Sequence, residues 1–291
     1  MRAPSDCLVE TGWLAAHLDA PDIVILEATM HLPGAGRDAV KEYREVHIPG
    51  ALFFDVDEIS DTASPLPHML PSPEKFSARV RKMGIGDGSR VVIYDRTNMS
   101  GAARAWWMFR VMGANDVAVL NGGFEKWRSE DHRLETLPAR PRTERHFTAR
   151  LNSSLVRDIN DMRAVIRNGG MQIVDARSKG RFAGVEPEPR EVPRLGHIPG
   201  AKNVPFADLL AEDGTLCPPE EIQTAFTRQG VDPSKPIVTS CGSGVTACLL
   251  ALGLARLGNE MVAVYDGSWA EWSAADTPVE GATTPPNAAS G

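Results

Sequence analysis

The chain has 291 residues, of which 42% are hydrophobic and 24% charged, and its formal net charge is -7. This length and composition favour a globular protein of two domains. Acidic and basic residues are interspersed without a basic block, which disfavours nucleic acid or an anionic membrane surface as a partner. A small-molecule substrate is therefore the first expectation.

The cysteines are too far apart in sequence to suggest a metal or disulfide site. There are four of them, without a CxxC pair: Cys7, Cys217, Cys241 and Cys248. Neither a zinc site nor a disulfide framework is indicated, and we expect no metal and no organic cofactor. The N-terminal segment has acids among its apolar residues, and no apolar run reaches membrane-spanning length. These features predict a cytoplasmic protein with reduced thiols and no membrane partner.

Sequence echoes indicate that one unit occurs twice. HIPGA begins at His47 and again at His197, and the run VVIYD ending at Asp95 parallels IVTSC ending at Cys241. AVLNGGFEKW and AVYDGSWAEW form a third pair, in the same order, as a duplication requires. The echoes predict a first domain over residues 1–138 and a second over 155–276. The polar, Pro-containing run between them predicts a linker over 139–154, and the Pro-, Gly-, Ala- and Ser-containing end predicts a mobile tail over 277–291.

Both copies have the same predicted elements in the same order. A short apolar strand lies in DIVILEA and in MQIVDAR, and HIPGA follows as a turn. A second strand run, a helical stretch and a last strand before a GG or GS turn complete each copy. Strand runs that alternate with helical patterns predict an α/β fold, with a mainly parallel sheet flanked by helices in each domain. HIPGA itself is interpreted as a structural turn.

The copies differ most at Cys241. A strand is predicted over Ile237–Ser240 and a helix over Ala247–Leu257 with Gly258 as its terminating residue, so Cys241 lies between a strand end and a helix start. Glycines in the intervening loop allow backbone N–H groups and the positive helix end to point at one anion. Such surroundings stabilise a thiolate and then a persulfide. The other three cysteines are interpreted as packing residues.

The loop CGSGVT, from Cys241 to Thr246, resembles the active-site loop of 3-mercaptopyruvate sulfurtransferases within the rhodanese family. HIPGA in both copies, SPLPHMLP, GRFAGVEPEPR and YDGSWAEW resemble the same family in order and spacing. The resemblance covers most of the chain and implies a tandem pair of rhodanese-like domains. Asp95 replaces the nucleophile in the first domain, which implies a catalytically silent domain that covers the site of the second and contributes residues to it.

The resemblance implies a sulfur transfer through Cys241. Its thiolate would attack the sulfur of 3-mercaptopyruvate, release pyruvate and pass the sulfur to a thioredoxin-like protein, a small thiol or cyanide. The family's substrate-binding arginines match Arg181 and Arg190, and arginine suits a carboxylate with a neighbouring ketone. The loop positions assigned to substrate binding are Gly242, Gly244, Val245 and Thr246. Surface ion pairs with Glu186, Glu188 or Glu191 are the alternative for both arginines.

A proton relay is also implied, because the departing enolate takes up a proton while the donor thiol loses one. The matching residues are Ser243 in the loop with Asp57 and His68 in the first copy. Each also has a simpler interpretation: Asp57 as a helix cap, His68 as a loop residue and Ser243 as a partner of the backbone. Thr246 is expected to order the loop through its hydroxyl at the helix start.

Three other functions remain open at this stage. Thiosulfate sulfurtransferases have a loop resembling CRKGVT, with two cations for a dianionic donor, where this chain has Gly242 and Ser243. Cysteine phosphatases need an arginine that grips phosphate, and the corresponding position here is Ala247. A non-catalytic rhodanese-like binding protein is the third possibility.

Overall fold

A computed structural model describes residues 7–136, 139, 142–259 and 262–281. The described residues form two compact units. The first unit comprises residues within Met1–Ala63, Leu70–Asn152 and Leu210–Leu216, and the second comprises residues within Ser64–Met69, Ser153–Leu209 and Cys217–Gly291. None of the described helices is both long and apolar enough to cross a lipid bilayer.

The first unit contains a five-stranded, parallel sheet in the order β1-β5-β4-β2-β3. Its strands are β1 (Leu8–Val9), β2 (Ile23–Glu27), β3 (Leu52–Phe53), β4 (Arg90–Tyr94) and β5 (Val117–Leu120). Its helices are α1 (Thr11–Ala16), α2 (Ala39–Glu45), α3 (Val56–Ile59), α4 (Pro73–Lys82), α5 (Ser100–Val111) and α6 (Gly123–Ser129). Every residue of β2 is buried, as expected of an inner parallel strand covered on both faces.

The second unit repeats this arrangement, with strand order β6-β10-β9-β7-β8 and parallel pairing throughout. Its strands are β6 (Val156–Arg157), β7 (Gln172–Asp175), β8 (Lys202–Asn203), β9 (Ile237–Ser240) and β10 (Val262–Tyr265). Its α-helices are α7 (Ile159–Asn168), α8 (Lys179–Ala183), α9 (Pro219–Arg228), α10 (Thr246–Arg256) and α11 (Ser268–Ala274). Two short 3-10 helices cover Ser153–Leu155 and Phe206–Leu209. The predicted duplication and α/β fold are confirmed.

The two HIPGA turns make matching contacts. His47 and Glu135 exchange backbone hydrogen bonds of 2.8 and 2.9 Å, and His197 and Glu280 exchange bonds of 2.8 and 3.0 Å. In each unit the same glutamate also accepts the N–H of the turn glycine, at 2.7 Å for Gly50 and 3.2 Å for Gly200. Each turn therefore ties the segment that follows the last helix to its unit, which agrees with a structural role for the motif.

Two segments inside the predicted domains group with the other unit. Leu210–Leu216 groups with the first unit, where the N–H of Leu216 donates to Oδ1 of Asn121 at 2.9 Å. Ser64–Met69 groups with the second unit, where His68 contacts Arg190. Sequence repeats could not reveal this exchange, because each loop lies inside the other copy along the chain.

The predicted linker and tail also differ from the structure. The described linker residues up to Asn152 belong to the first unit, where His146, Thr148 and Arg150 hydrogen bond with Asp87 and Met112. Linker residues 140 and 141 lie outside the described residues. The tail was predicted from Thr277, yet Thr277 is buried and the backbone of Glu280 pairs with the HIPGA turn, so the fold of the second unit extends to this point. The remaining tail, 282–291, lies outside the described residues.

In the first unit the loop after β4 folds around a carboxylate. Asp95 is 2% exposed, and its side chain accepts the N–H groups of Thr97 at 3.0 Å, Met99 at 3.1 Å and Ala102 at 3.0 Å. Burial raises the pKa of Asp95 to about 7, although these backbone donors oppose the shift. The loop thus surrounds a carboxyl group that the chain itself supplies.

Asp95 makes the stability of the protein depend on pH. Because its pKa is raised in the folded state, its favourable contribution is lost as the pH rises toward 7, and the loss between pH 5 and pH 8 amounts to about 3 kcal/mol. Asp95→Asn removes this titration, so we expect urea unfolding to show the variant gaining stability relative to the wild type over that interval. Exposed Asp19→Asn is the control and should show no such gain. A difference between Asp95→Asn and wild type that stays constant from pH 5 to pH 8 would contradict this account.

Candidate active site

Cys241 lies directly after β9 and before α10, as predicted. It is 2% exposed, and the loop that follows turns at Gly244, whose φ of 76° favours glycine. Helix α10 is apolar on all sides, and its residues from Ala247 to Leu254 are all buried. This helix therefore belongs to the core of the second unit, and its N-terminus is directed to the Cys241 loop.

The Cys241 loop has the same length as the Asp95 loop but lacks its internal anion. In both units the helix N-cap is the fourth residue after the strand-end residue, Met99 after Asp95 and Val245 after Cys241. The N–H groups of Ser243 and Val245, which correspond to two donors to Asp95, donate to no residue that the structure describes. The loop therefore presents backbone donors beside the cysteine, where a thiolate or a persulfide would carry charge.

Residues after β10 hold the backbone of this loop. The N–H of Cys241 donates to Oγ of Ser268 at 3.1 Å, and this hydroxyl donates to the carbonyl of Tyr265 at 2.8 Å. The carbonyls of Cys241 and Gly242 accept the N–H groups of Trp269 at 3.0 Å and Ala270 at 2.9 Å. Residues of the motif YDGSWAEW thus hold the backbone of the Cys241 loop. Ser268 was missed from sequence, although its place in a repeated motif next to a strand end was an available signal.

Arg181 lies against the loop and is paired with Glu188. Its Nη2 would be 2.7 Å from a Cβ atom built on Gly242, so the absence of a side chain there permits the approach. Arg181 Nε donates to Glu188 Oε2 at 3.1 Å, and Arg181 Nη2 donates to the same oxygen. The expected alternative of an ion pair with Glu188 is therefore seen, but the glutamate side chain is only 4% exposed and the pair is not a surface pair.

Two further charged residues, which were not predicted, extend the ion pair of Glu188 into the domain. The guanidinium of Arg177, which is fully buried, donates to Glu188 Oε1 at 2.7 Å and to Asp175 Oδ2 at 2.7 Å. Burial alone would lower the pKa of Arg177, but the carboxylates of Asp175 and Glu188 outweigh that effect and raise it. Asp175 ends the buried strand β7, and side chains at this edge of a parallel sheet often line ligand sites. An acidic residue at that position was the signal in the sequence for these two residues.

Arg190 meets His68 within the second unit. Arg190 Nη2 lies 2.9 Å from Nε2 of His68, and the histidine is 8% exposed. Because guanidinium groups only donate, Nε2 of His68 is the acceptor in this contact. Two of the predicted site residues are thereby brought together, one from each sequence copy.

The other predicted site residues have mixed outcomes. Ser243 Oγ forms no hydrogen bond with any residue that the structure describes, so it is not engaged by the backbone. Asp57 is exposed in the first turn of α3, in the first unit, and the cap of that helix is Asp55 instead. Thr246 is the first residue of α10, after the N-cap Val245, and this helix has no side-chain cap bond, so the ordering of the loop by Thr246 stays a prediction.

All four cysteines of the chain are free thiols. Cys248 lies on α10, fully buried, and its Sγ donates to the carbonyl of Gly244 at 3.1 Å. Cys217 is buried in the second unit, and Cys7 lies at the start of the described residues. These positions agree with packing roles, and Cys248 additionally stabilises the turn of the active-site loop.

Comparison with known proteins relates the whole chain to sulfurtransferases. A protein called 3-mercaptopyruvate sulfurtransferase from Homo sapiens is 43% identical over 94% of this chain and 94% of its own length. A thiosulfate sulfurtransferase from Rattus norvegicus is 44% identical over 91% of each chain. The crystal structure of SseA from Escherichia coli, described in terms of the rhodanese fold and the mechanism of 3-mercaptopyruvate sulfotransferases, has a TM-score of 0.83 and 42% identity, and the match covers 91% of this chain and 99% of that one.

The family model for the rhodanese-like domain matches twice, at residues 10–130 and 158–275. Each match covers four of the five strands of one parallel sheet, and the matches include the two related loops that hold Asp95 and Cys241. The chain therefore belongs to the rhodanese family, as a tandem pair of rhodanese-like domains.

Proposed function

We propose that the protein is a 3-mercaptopyruvate sulfurtransferase whose sulfur carrier is Cys241. One observation supports this proposal above the others: a nearly buried cysteine lies beside backbone N–H groups without protein acceptors in the described structure, with the guanidinium of Arg181 against the same loop. A thiolate, a persulfide and the carboxylate of a keto acid are all anions that such a site stabilises. The relatives named for this activity are similar over nearly the whole chain.

The first half-reaction moves one neutral sulfur atom. The thiolate of Cys241 attacks the sulfur of 3-mercaptopyruvate, and the carbon–sulfur bond breaks with its electron pair on carbon. The products are a persulfide on Cys241 and the enolate of pyruvate, which becomes pyruvate when it takes up a proton. No external oxidant or reductant is needed, because the carbon that keeps the electron pair of the broken bond is reduced as the transferred sulfur is oxidised.

The donor is proposed to bind through both arginines. Arg181 at Gly242 and Arg190 beside His68 provide planar, always charged donors for a carboxylate and its neighbouring ketone. Gly242, Gly244, Val245 and Thr246 form the loop that receives the sulfur end of the donor. In this assignment the role of Gly242 is steric, because the absence of a side chain leaves space for the guanidinium of Arg181.

The proton that leaves the donor thiol is proposed to reach the enolate through Ser243, His68 and Asp57. Ser243 is available, since its hydroxyl has no partner among the described residues. His68 contacts Arg190 and so belongs with the donor-binding residues. Asp57 enters only through its match to the family motif, as the group that orients the other two.

In the second half-reaction a thiol acceptor, or cyanide, takes the outer sulfur of the persulfide and regenerates the thiolate. A thioredoxin-like protein or a small thiol is the proposed acceptor. Free thiols at all four cysteines fit a reducing compartment, and we place the protein in the cytoplasm on that ground. The first domain, with Asp95 at the nucleophile position, is proposed to be catalytically silent because a carboxylate cannot form a persulfide.

Thiosulfate is the second candidate donor, since a relative named for that activity is 44% identical. Thiosulfate is a dianion and needs more positive charge near the nucleophile than a keto acid does. Gly242 and Ser243 supply no charge, and Arg181 beside them is already paired with Glu188. These features favour the monoanionic donor.

Replacing the nucleophile tests the reaction directly. Cys241→Ser should abolish pyruvate release from 3-mercaptopyruvate, because a serine hydroxyl at this site forms no persulfide. Pyruvate is measured in the presence of a thiol acceptor, and Cys7→Ser is the control that removes a thiol from the other unit. Appreciable turnover by Cys241→Ser would exclude Cys241 as the sulfur carrier.

Replacing the carboxylate-binding arginine tests donor recognition. Arg181→Ala should raise the KM for 3-mercaptopyruvate by about tenfold to a hundredfold, because a bidentate, charge-assisted contact is lost. Arg181→Lys should recover only part of the affinity, since an ammonium lacks the planar fork. The control is Arg167→Ala on an exposed part of α7. An unchanged KM in Arg181→Ala would count against carboxylate binding by this residue.

Adding charge to the loop tests donor choice. The double variant Gly242→Arg with Ser243→Lys should shift the ratio of kcat/KM values toward thiosulfate, because two cations then face a dianion. A side chain at Gly242 also displaces Arg181, so activity with 3-mercaptopyruvate should fall in the same variant. If the ratio for the two donors does not move, loop charge does not determine donor preference.

A further inference from the structure

Glu188 connects two arginines that differ in exposure. Its Oε1 accepts Nη1 of Arg177 at 2.7 Å, and its Oε2 accepts Nε of Arg181 at 3.1 Å together with Nη2 of the same residue. The side chain of Glu188 is 4% exposed, that of Arg177 is fully buried and that of Arg181 is 21% exposed. The carboxylate therefore bridges a guanidinium inside the domain and one at the active-site loop.

Arg177 is itself held from several directions. Its Nε and Nη2 donate to the carboxylate of Asp175, and Nη2 also donates to the carbonyl of Gly196 at 2.9 Å. Its guanidinium lies 4.8 Å from the ring centroid of Trp269, which follows the serine that binds the Cys241 backbone. Arg177 is therefore fixed in the core by Asp175, Gly196 and Trp269. Because Arg177 is fixed, it holds Glu188 in one position.

We propose that Glu188 is a positioning residue for donor binding: clamped by Arg177, it fixes the guanidinium of Arg181 over Gly242. This inference rests on the proposed function and adds the residue that sets the geometry of the donor site. Both Nε and Nη2 of Arg181 are used by Glu188, whereas Nη1 donates to no residue that the structure describes. The bond to Glu188 therefore determines which face of Arg181 the donor meets.

Charge and orientation act in opposite directions in this arrangement. Asp175 and Glu188 carry two negative charges and Arg177 and Arg181 two positive ones, so the four side chains have no net formal charge. If attraction alone governed donor affinity, removing the charge of Glu188 would strengthen binding. If orientation governs donor affinity, the same change weakens binding, because the long, partly exposed side chain of Arg181 can then adopt several rotamers and loses entropy when the donor binds.

Two substitutions separate these effects. Glu188→Gln keeps the length of the side chain and removes its charge, and Glu188→Asp keeps the charge and is one methylene too short to reach both arginines. Orientation predicts that both variants raise the KM for 3-mercaptopyruvate, by about tenfold, while kcat changes by less than about twofold. The control is Glu186→Gln, an exposed residue of the same segment whose carboxylate accepts the hydroxyl of Ser178 instead.

A double-mutant cycle distinguishes positioning from a general structural role. In the Arg181→Ala background Glu188→Gln should change KM by less than about twofold, since its target is already absent. An effect of Glu188→Gln that persists in that background, or a KM that falls in Glu188→Gln or stays unchanged in Glu188→Asp, overturns the proposal. Thermal unfolding of every variant identifies loss of fold, and Glu188→Asp retains the buried charge pair with Arg177 if Glu188→Gln proves unstable.

The wild type serves as the reference for the proposed function. If wild-type protein releases no pyruvate from 3-mercaptopyruvate, the proposed function fails and the positioning role fails with it. If the wild type is active and the Glu188 variants keep its KM, only the positioning role is wrong.

Discussion

The backbone N–H groups of a strand-to-helix loop that occurs in both units are the constraint on which this molecule depends. In each unit a central strand ends in a loop of the same length before a buried helix. The first unit satisfies the loop donors with the carboxylate of Asp95, and that carboxylate is so deeply buried that its pKa rises to about 7. The second unit places Cys241 there, and the corresponding N–H groups of Ser243 and Val245 donate to no residue that the structure describes. One loop geometry is therefore compatible with a buried carboxyl group in the first unit and, as proposed, with a charged sulfur in the second.

Residues outside the Cys241 loop hold both its backbone and the arginine that lies against it. Ser268 and the residues after it hold the loop backbone, and the buried chain from Asp175 through Arg177 and Glu188 ends at Arg181. Buried ion pairs are costly unless every member is satisfied, and here each carboxylate meets at least one guanidinium at hydrogen-bond distance. In the proposed function, this network contributes the geometry of the donor site more than stability.

Much of this could be predicted from the sequence where the signal is local or repeated. The duplication, the α/β fold, the bounds of β9 and the place of Cys241 before α10 follow from echoes and periodicity. The buried ion pairs of Glu188 could not be predicted, because GRFAGVEPEPR has several acids and the sequence does not show which of them is buried. Exchange of the segments that hold His68 and Leu216 was also missed, since contacts between distant parts of the chain leave no pattern in either copy. The ordered end at Glu280 was missed because a Pro-rich and Ala-rich composition predicted a tail.

The central claim is that Cys241 carries the transferred sulfur and takes it preferentially from 3-mercaptopyruvate. Intact-protein mass spectrometry after brief incubation with 3-mercaptopyruvate or with thiosulfate, followed by peptide mapping, tests it most directly. We expect the mass of one added sulfur atom, located on Cys241 and formed faster with 3-mercaptopyruvate. Equal loading by thiosulfate would remove the donor preference, and a protein that gains no sulfur on Cys241 from either donor would contradict the account and favour a non-catalytic binding protein.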